Sequence, residues 1–217
     1  IMNYAQLISD TLKGQDPQLV EFADEIVHET ERVAGIVRSL LQFARNERER
    51  HSPARIRSIV ESTLALIGAV LRHDQITVET DVPRDLPEIK CRSEQIQHVI
   101  LNLLTNARDA LNARYPGHDP DKLIKLSVHL FLREDRRWIR LTVEDHGGGI
   151  EPAVQEHMFE PFYSTKPRNV GTGLGLAVSH GLVADHYGEI SVETRLGAYA
   201  RFHVDLPVDN GWHLNED

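Results

Sequence analysis

Gly171-Thr172-Gly173-Leu174-Gly175-Leu176 is the stretch on which the reading of this chain turns. Three glycines alternate and then run straight into an apolar segment, Leu174 to Tyr187, that predicts a helix. A glycine turn feeding a helix N-terminus leaves backbone amides open and sets the positive end of the helix dipole beside them, which suits phosphate. The dinucleotide fingerprint needs glycine where Leu176 stands, so that pattern is absent. No Gly-Lys-Ser/Thr occurs, so a P-loop is excluded. A flexible glycine linker is the other reading, and the apolar helix that follows at once speaks against it.

Working outward, three more strings precede it in order. Phe159-Glu160-Pro161-Phe162 sets two aromatics around a proline, a stiff and sticky base for a lid, or else a satellite apolar cluster. Tyr163-Ser164-Thr165-Lys166 continues it, and Lys166 and Arg168 are candidate phosphate contacts or a solvated basic pair. Asp145-His146-Gly147-Gly148-Gly149 closes a strand. A buried carboxylate there can accept the exocyclic amine proton of adenine and reject the carbonyl of guanine. Gly147 and Gly149 let backbone pass close beneath a base; a surface turn is the commoner use of such a string. Asn102-Leu103-Leu104-Thr105-Asn106 places two amides four residues apart on one helix face. An amide oxygen is a hard ligand suited to Mg²⁺, which keeps most of its waters and takes phosphate oxygens. Two solvated asparagines are the alternative for that pair taken alone.

The order and spacing of the four strings resemble the N, G1, F and G2 boxes of the sensor histidine kinases of two-component systems, over nearly the whole chain. The resemblance implies an α+β fold: a two-layer α/β sandwich with a mixed sheet, of the Bergerat type, preceded by a helical hairpin of a dimeric four-helix bundle. It implies ATP and Mg²⁺ as cofactors, with Asn106 holding the metal and Asn102 near the phosphates. Asn102 and Lys166 are then the catalytic pair. Nucleotide contacts fall to Asn102, Asn106, Asp145, Gly147, Gly149, Phe159, Phe162, Thr165, Lys166, Gly171, Thr172, Gly173, Leu174, Gly175 and Leu176. Related gyrase-type ATPases carry a general-base Glu at the position of Asn102, so its amide speaks against efficient hydrolysis. Two departures stand out: His146 replaces the commoner Asn, and Asp109 stands where some of these kinases carry a phosphate-contacting Lys.

Composition is consistent with this. The chain has 217 residues, 41% apolar and 26% charged, with a net charge of −9. An acidic protein has no general pull on nucleic acid or anionic membrane, so an anionic nucleotide has to be drawn locally. A single cysteine, Cys91, excludes an internal disulfide framework and fits a reducing, cytoplasmic compartment. No apolar run approaches the ~20 residues of a membrane span. No membrane contact by this stretch is expected; an anchor upstream stays open.

Three regions are expected: a partial helical dimerisation hairpin over 1–50, the catalytic ATP-binding domain over 51–210, and a tail over 211–217. In the first, Ala23, Ile26, Thr30, Val33, Val37, Leu40 and Ala44 repeat in steps of three and four, a heptad seam. Val20, Val27, Ala34 and Leu41 widen it to a bundle face that a second copy would cover; a hairpin packed on its own domain is the alternative. Ser52-Pro53 reads as a helix start running to Arg72. Strands are expected over 75–82, 88–91, 122–132, 138–144, 189–194 and 200–206, with hairpin turns at 133–136 and at Leu196-Gly197. A helix capped by Ser93 is expected to reach Ala113. Residues 145–172 read as mostly irregular.

None of the twelve histidines sits in the family's phosphoacceptor context, a His followed by an acidic residue with Pro a few positions on. His28 precedes Glu29 without the proline, and in His118-Asp119-Pro120 the proline is too close. His98 and His146 neighbour the site and are candidates for indirect phosphate contact. Ile1-Met2-Asn3-Tyr4-Ala5-Gln6-Leu7 resembles the segment shortly after the acceptor. The expected function is therefore transfer of the ATP γ-phosphoryl group to a histidine outside this stretch, for relay to an aspartate of a response-regulator receiver domain. The 217-residue chain itself is expected to bind Mg-ATP without labelling itself. A gyrase-type ATPase, a non-enzymatic nucleotide-sensing dimerisation module and a serine kinase are the rival readings.

Overall fold

In the computed structural model the described residues are 8, 10–11, 19–27, 30, 51–166 and 171–209. They fall into two compact units, those within Ile1–Arg48 and Glu160–Gly175, and those within Glu49–Phe159 and Leu176–Asp217. The expected hairpin over 1–50 lies mostly outside the described residues, as does the tail; within the hairpin, residues 19–27 are helical.

The second unit carries β1 (Ser52–Ala54), α1 (Ile56–His73), β2 (Thr77–Asp81), β3 (Ile89–Cys91), α2 (Ser93–Arg114), β4 (Leu123–Arg133), β5 (Arg136–Asp145), the short α3 (Pro152–Gln155), α4 (Gly175–Asp185, whose first residue falls in the other unit), β6 (Glu189–Arg195) and β7 (Tyr199–Pro207). Five strands form a mixed sheet in the order β2-β4-β5-β7-β6. Only β2 and β4 run parallel, and they are separated in sequence by α2. The other pairings are antiparallel. This is the α+β sandwich expected.

Period-two burial decides the faces. Ile124, Leu126 and Val128 of β4 share the buried side with Ile139, Leu141 and Val143 of β5, and join α2 and α1 in one apolar core. The other face is a polar ladder, in which Lys125, Glu144, Arg201 and Glu193 stand opposite one another across four strands. Arg140 holds the buried Asp205 with two hydrogen bonds of 2.6 and 2.7 Å.

The hairpin turns fall where expected. Arg133 pairs with Arg136, leaving Glu134 and Asp135 as a two-residue loop. Both have positive φ (52° and 60°), the mark of a type I′ turn that matches strand twist. Arg195 pairs with Tyr199 around Gly197. α1 and α4 each end in a six-to-one bond, Ile76 N–H to Leu71 O and Gly188 N–H to Val183 O. The left-handed residue is Gln75 in the first and Tyr187 in the second, where glycine is usual.

Two local expectations are corrected, and a third, the mostly irregular region 145–172, gains one short helix. Ser52-Pro53 does not start a helix: it pairs antiparallel with Cys91 and Lys90, and the helix begins at Ile56. Proline tolerates the edge of a two-stranded ribbon as well as a first helical turn, and the partner strand decided between them. Ser93 is the first helical residue, not the cap; Arg92 takes the cap position without a side-chain bond. The region 145–172 also contains α3, which opens on Pro152.

Candidate functional site

α2 presents Asn102, Asn106 and Ala110 at four-residue spacing, hence on one face. The opposite stripe, Ile96, Val99, Ile100, Leu103, Leu104, Ala107 and Leu111, is buried and fixes which way that face looks. Both asparagines are half-buried. The Asn102 side-chain amide donates to the Ser179 hydroxyl of α4 at 3.1 Å.

Asp145 is the last residue of β5 and is 4% exposed. Its Oδ1 accepts the Gly147 N–H at 2.8 Å. Burial pushes its pKa up to about 6, with the Gly147 bond and the nearby His146 opposing that rise. The glycine loop is seated on α2: a Cβ added to Gly147 would lie 2.5 Å from the Ala110 Cβ. The loop that follows Asp145 and the amide row thus meet on one helix face, one turn beyond Asn106. Gly148 and Gly149 take φ of 110° and 73°. A Cβ on Gly149 would collide with the Arg195 carbonyl, so the chain passes under the β6–β7 turn at a distance only glycine allows. Hydrogen bonds from Ile150 N–H to Thr194 Oγ1 (2.9 Å) and from Gly197 N–H to Gly148 O (2.7 Å) pin it there.

His146 turns away from this loop. Its Nε2 meets Glu144 Oε1 at 3.1 Å, and Arg201 donates to the other oxygen of Glu144 at 2.6 Å. The side chain thus joins the polar face of the sheet, because successive residues at a strand end point to opposite sides. Arg108 is likewise engaged elsewhere, donating to Asp74 at 2.5 Å, with Asp109 3.6 Å from its guanidinium. Asn112 also donates to Asp74, at 2.8 Å. These bonds hold the Asp74 carboxyl down at about 2, the Asn112 contribution being the largest.

In the other unit Phe162 and Gly173 meet. Phe162 N–H donates to Gly173 O at 2.9 Å. Phe162 has φ of 68° and Gly173 of 66°, and a Cβ on Gly173 would lie 2.7 Å from the Phe162 carbonyl oxygen. Gly171 leaves room for the Ser164 hydroxyl, which a Cβ would approach to 2.5 Å. That hydroxyl accepts from Lys166 N–H at 3.2 Å, and Thr172 Oγ1 accepts from Leu174 N–H at 3.4 Å. Thr165 and Phe162 are exposed, and Leu174 is buried. Gly175 opens α4 directly after this turn. Arg168 lies outside the described residues. Back in the second unit, Phe159 stacks on His180 with ring centroids 5.5 Å apart, and both Phe159 and Leu176 pack on the core.

Two residues of the second unit's site were missed by sequence reasoning, Ala110 and Ser179. Ser179 had a signal: it is a polar residue one turn into a mostly apolar helix. Ala110 had only its spacing from Asn106.

Residues 91–210 match the family model described as histidine kinase-, DNA gyrase B-, and HSP90-like ATPase. That is more than half of the chain, and the chain belongs to this family. Among its members the similarity lies with sensor kinases. The two-component sensor PprA of Pseudomonas aeruginosa is 39% identical over 82% of this chain and 19% of its own length. The sensory histidine kinase/phosphatase NtrB of Salmonella typhimurium is 32% identical over 94% of this chain and 56% of its own length. The chain therefore spans less than two thirds of either relative. The full-length structure of ShkA in complex with AMPPNP has the same fold, with a TM-score of 0.67 at 22% identity over 95% of this chain and 42% of that one. Among the described residues no helix is long and apolar enough to cross a membrane.

Proposed function

We propose that this chain is the ATP-binding catalytic region of a sensor histidine kinase, which transfers the γ-phosphoryl group of ATP to a histidine for relay to a response-regulator aspartate. The observation that carries this reading is the seating of Gly147 on Ala110, which sets the buried Asp145 beside the Asn102–Asn106 face. Asp145 accepts from the adenine amine, and Gly147 and Gly149 let the base approach the backbone. Gly171, Thr172, Gly173, Leu174 and Gly175 offer amides to the phosphates at the start of α4, and Lys166 and Thr165 reach them from the lid.

The residues present fit Mg²⁺. The Asn106 amide oxygen is a hard ligand, and together with phosphate oxygens it suits an ion that keeps most of its waters. Asn106 would hold it, and the ion would supply neutralisation of the phosphate charge. Asn102 is an amide and cannot serve as a general base, so the site favours transfer over hydrolysis. A gyrase-type ATPase is disfavoured by that residue.

The regions follow the same reading: 1–50 for homodimerisation, 51–210 for catalysis, 211–217 as tail. Leu19, Phe22 and Ile26 are each about half exposed on one helix, at spacings of three and four, a face that suits a second copy. The catalytic region takes a receiver domain as partner through the phosphohistidine. Isothermal titration with a non-hydrolysable ATP analogue and Mg²⁺ tests the proposal: saturable binding is expected, and is lost in Asn106→Ala and Asp145→Ala. Folded protein that takes up no nucleotide would overturn it.

A further inference from the structure

We infer that Ser179 is a positioning residue of this site: its hydroxyl sets the orientation of the Asn102 amide and so decides which atom that side chain offers to the metal–phosphate end of the nucleotide. The inference rests on the nucleotide reading above. Ser179 is completely buried, and the bond from Asn102 Nδ2 to its Oγ measures 3.1 Å. Buried hydroxyls in helices commonly bond back to their own helix, as Thr63 does to Ile59 O at 2.7 Å. Ser179 instead accepts from a side chain of another helix, and that side chain is a site residue.

An amide has two unlike ends. Nitrogen donates, and oxygen accepts or binds a cation. With Nδ2 turned to Ser179, Oδ1 occupies the other branch of the planar group. Oxygen is the atom that suits Mg²⁺ or a water bound to it. Without the hydroxyl the amide loses a contact that favours this orientation over its flip, and a flipped amide shows the site a donor in place of an oxygen.

The two helices are too firmly joined for the hydroxyl to be needed as a mere staple. Arg92 N–H, at the start of α2, donates to His186 Nε2 at 3.1 Å just past the end of α4. His186 Nδ1 donates to Leu182 O at 2.7 Å, so both ring nitrogens are engaged. Ten residues along α2 from Arg92 lies Asn102, and seven residues back along α4 from His186 lies Ser179. The helices run antiparallel, and the Asn102–Ser179 contact is the tie in the early part of α4.

The test is the Mg²⁺ dependence of nucleotide binding by the 217-residue chain, read by calorimetry with a non-hydrolysable ATP analogue. Ser179→Ala is expected to raise the Mg²⁺ concentration at half-saturation about three- to tenfold, the worth of one hydrogen bond. Metal-free adenosine affinity stays unchanged. Ser179→Cys, which keeps a weak acceptor in nearly the same volume, recovers part of the loss and decides the matter if the alanine variant does not fold. In an Asn102→Ala background Ser179→Ala is expected to add nothing. An equal loss of adenosine and analogue affinity, an additive double variant, or no change in Ser179→Ala would each overturn the inference while leaving the nucleotide site standing. Absence of binding in the unsubstituted chain would overturn the nucleotide site itself, and this inference with it.

Discussion

Gly147 lies so close to Ala110 that two Cβ atoms there would be 2.5 Å apart, well inside any real contact. The glycine loop after Asp145 is thus seated on the helix that carries the amides, and the fit depends on the absence of one methyl group. Gly147→Ala is expected to lower stability by about 1–3 kcal/mol through overpacking and to weaken analogue binding at the same time. Ala110→Gly should restore only part, because the same Cβ also meets the Ala110 carbonyl carbon at 2.7 Å. Thermal melts and titrations of the single and double variants check this.

Asp145 carries a stability cost in its buried carboxyl. Its carboxyl is raised to about 6 by burial, so the folded state holds a proton more tightly than the unfolded chain. That contribution is fully present below the unfolded value near 3.8 and is lost as pH rises through about 6. Asp145→Asn, which needs no charge in the pocket, is expected to gain about 1–3 kcal/mol at pH 7. It should lose adenine binding by more than about tenfold. A destabilised Asp145→Asn protein would contradict the burial argument.

The same carboxyl sets a pH limit on binding. Accepting from the adenine amine requires the ionised form. Affinity for the ATP analogue is therefore expected to be level above pH 7 and to fall about tenfold per unit below pH 6. In Asp145→Asn that pH dependence should vanish. Titrations between pH 5 and 8 measure it.

Asp74 ties α1 to α2 through Arg108 and Asn112. Its carboxyl is depressed to about 2, so the stability it contributes is present above the unfolded value near 3.8 and is lost as pH falls through about 2. Asp74→Ala is expected to cost about 1–3 kcal/mol by leaving the Arg108 and Asn112 donors without this acceptor. Denaturant melts at pH 7 and pH 3 should show the variant losing less on acidification than the parent chain.

Phe22 and Ile26, exposed on one helix face, form part of the proposed dimer contact. Phe22→Glu or Ile26→Glu is expected to shift the chain to monomer in analytical ultracentrifugation while analogue binding per chain persists. An unchanged dimer would remove this face from the interface.

Much of the fold was legible because its signals are local. Alternation along Leu126–Val128 and Leu141–Val143, the two hairpin turns and the apolar stripe of α2 each follow from spacing within one element, and the structure reproduces them. Ser52-Pro53 misled because both a strand edge and a helix start accept a proline, and only the distant Cys91 strand chose.

The sequence alone singled out the residues proposed to carry the chemistry: the paired amides, the carboxylate before the glycines, and the glycine turn before α4. It also determined the family, because those four strings keep their order. Tertiary structure alone decided that Gly147 rests on Ala110, that Ser179 holds Asn102, and that His146 leaves the loop for Glu144. Such contacts join residues tens of positions apart or depend on which face a strand end presents. A periodic pattern fixes the side of an element on which a residue lies, but the partner that side meets is set by how the helices and sheet close on a common core.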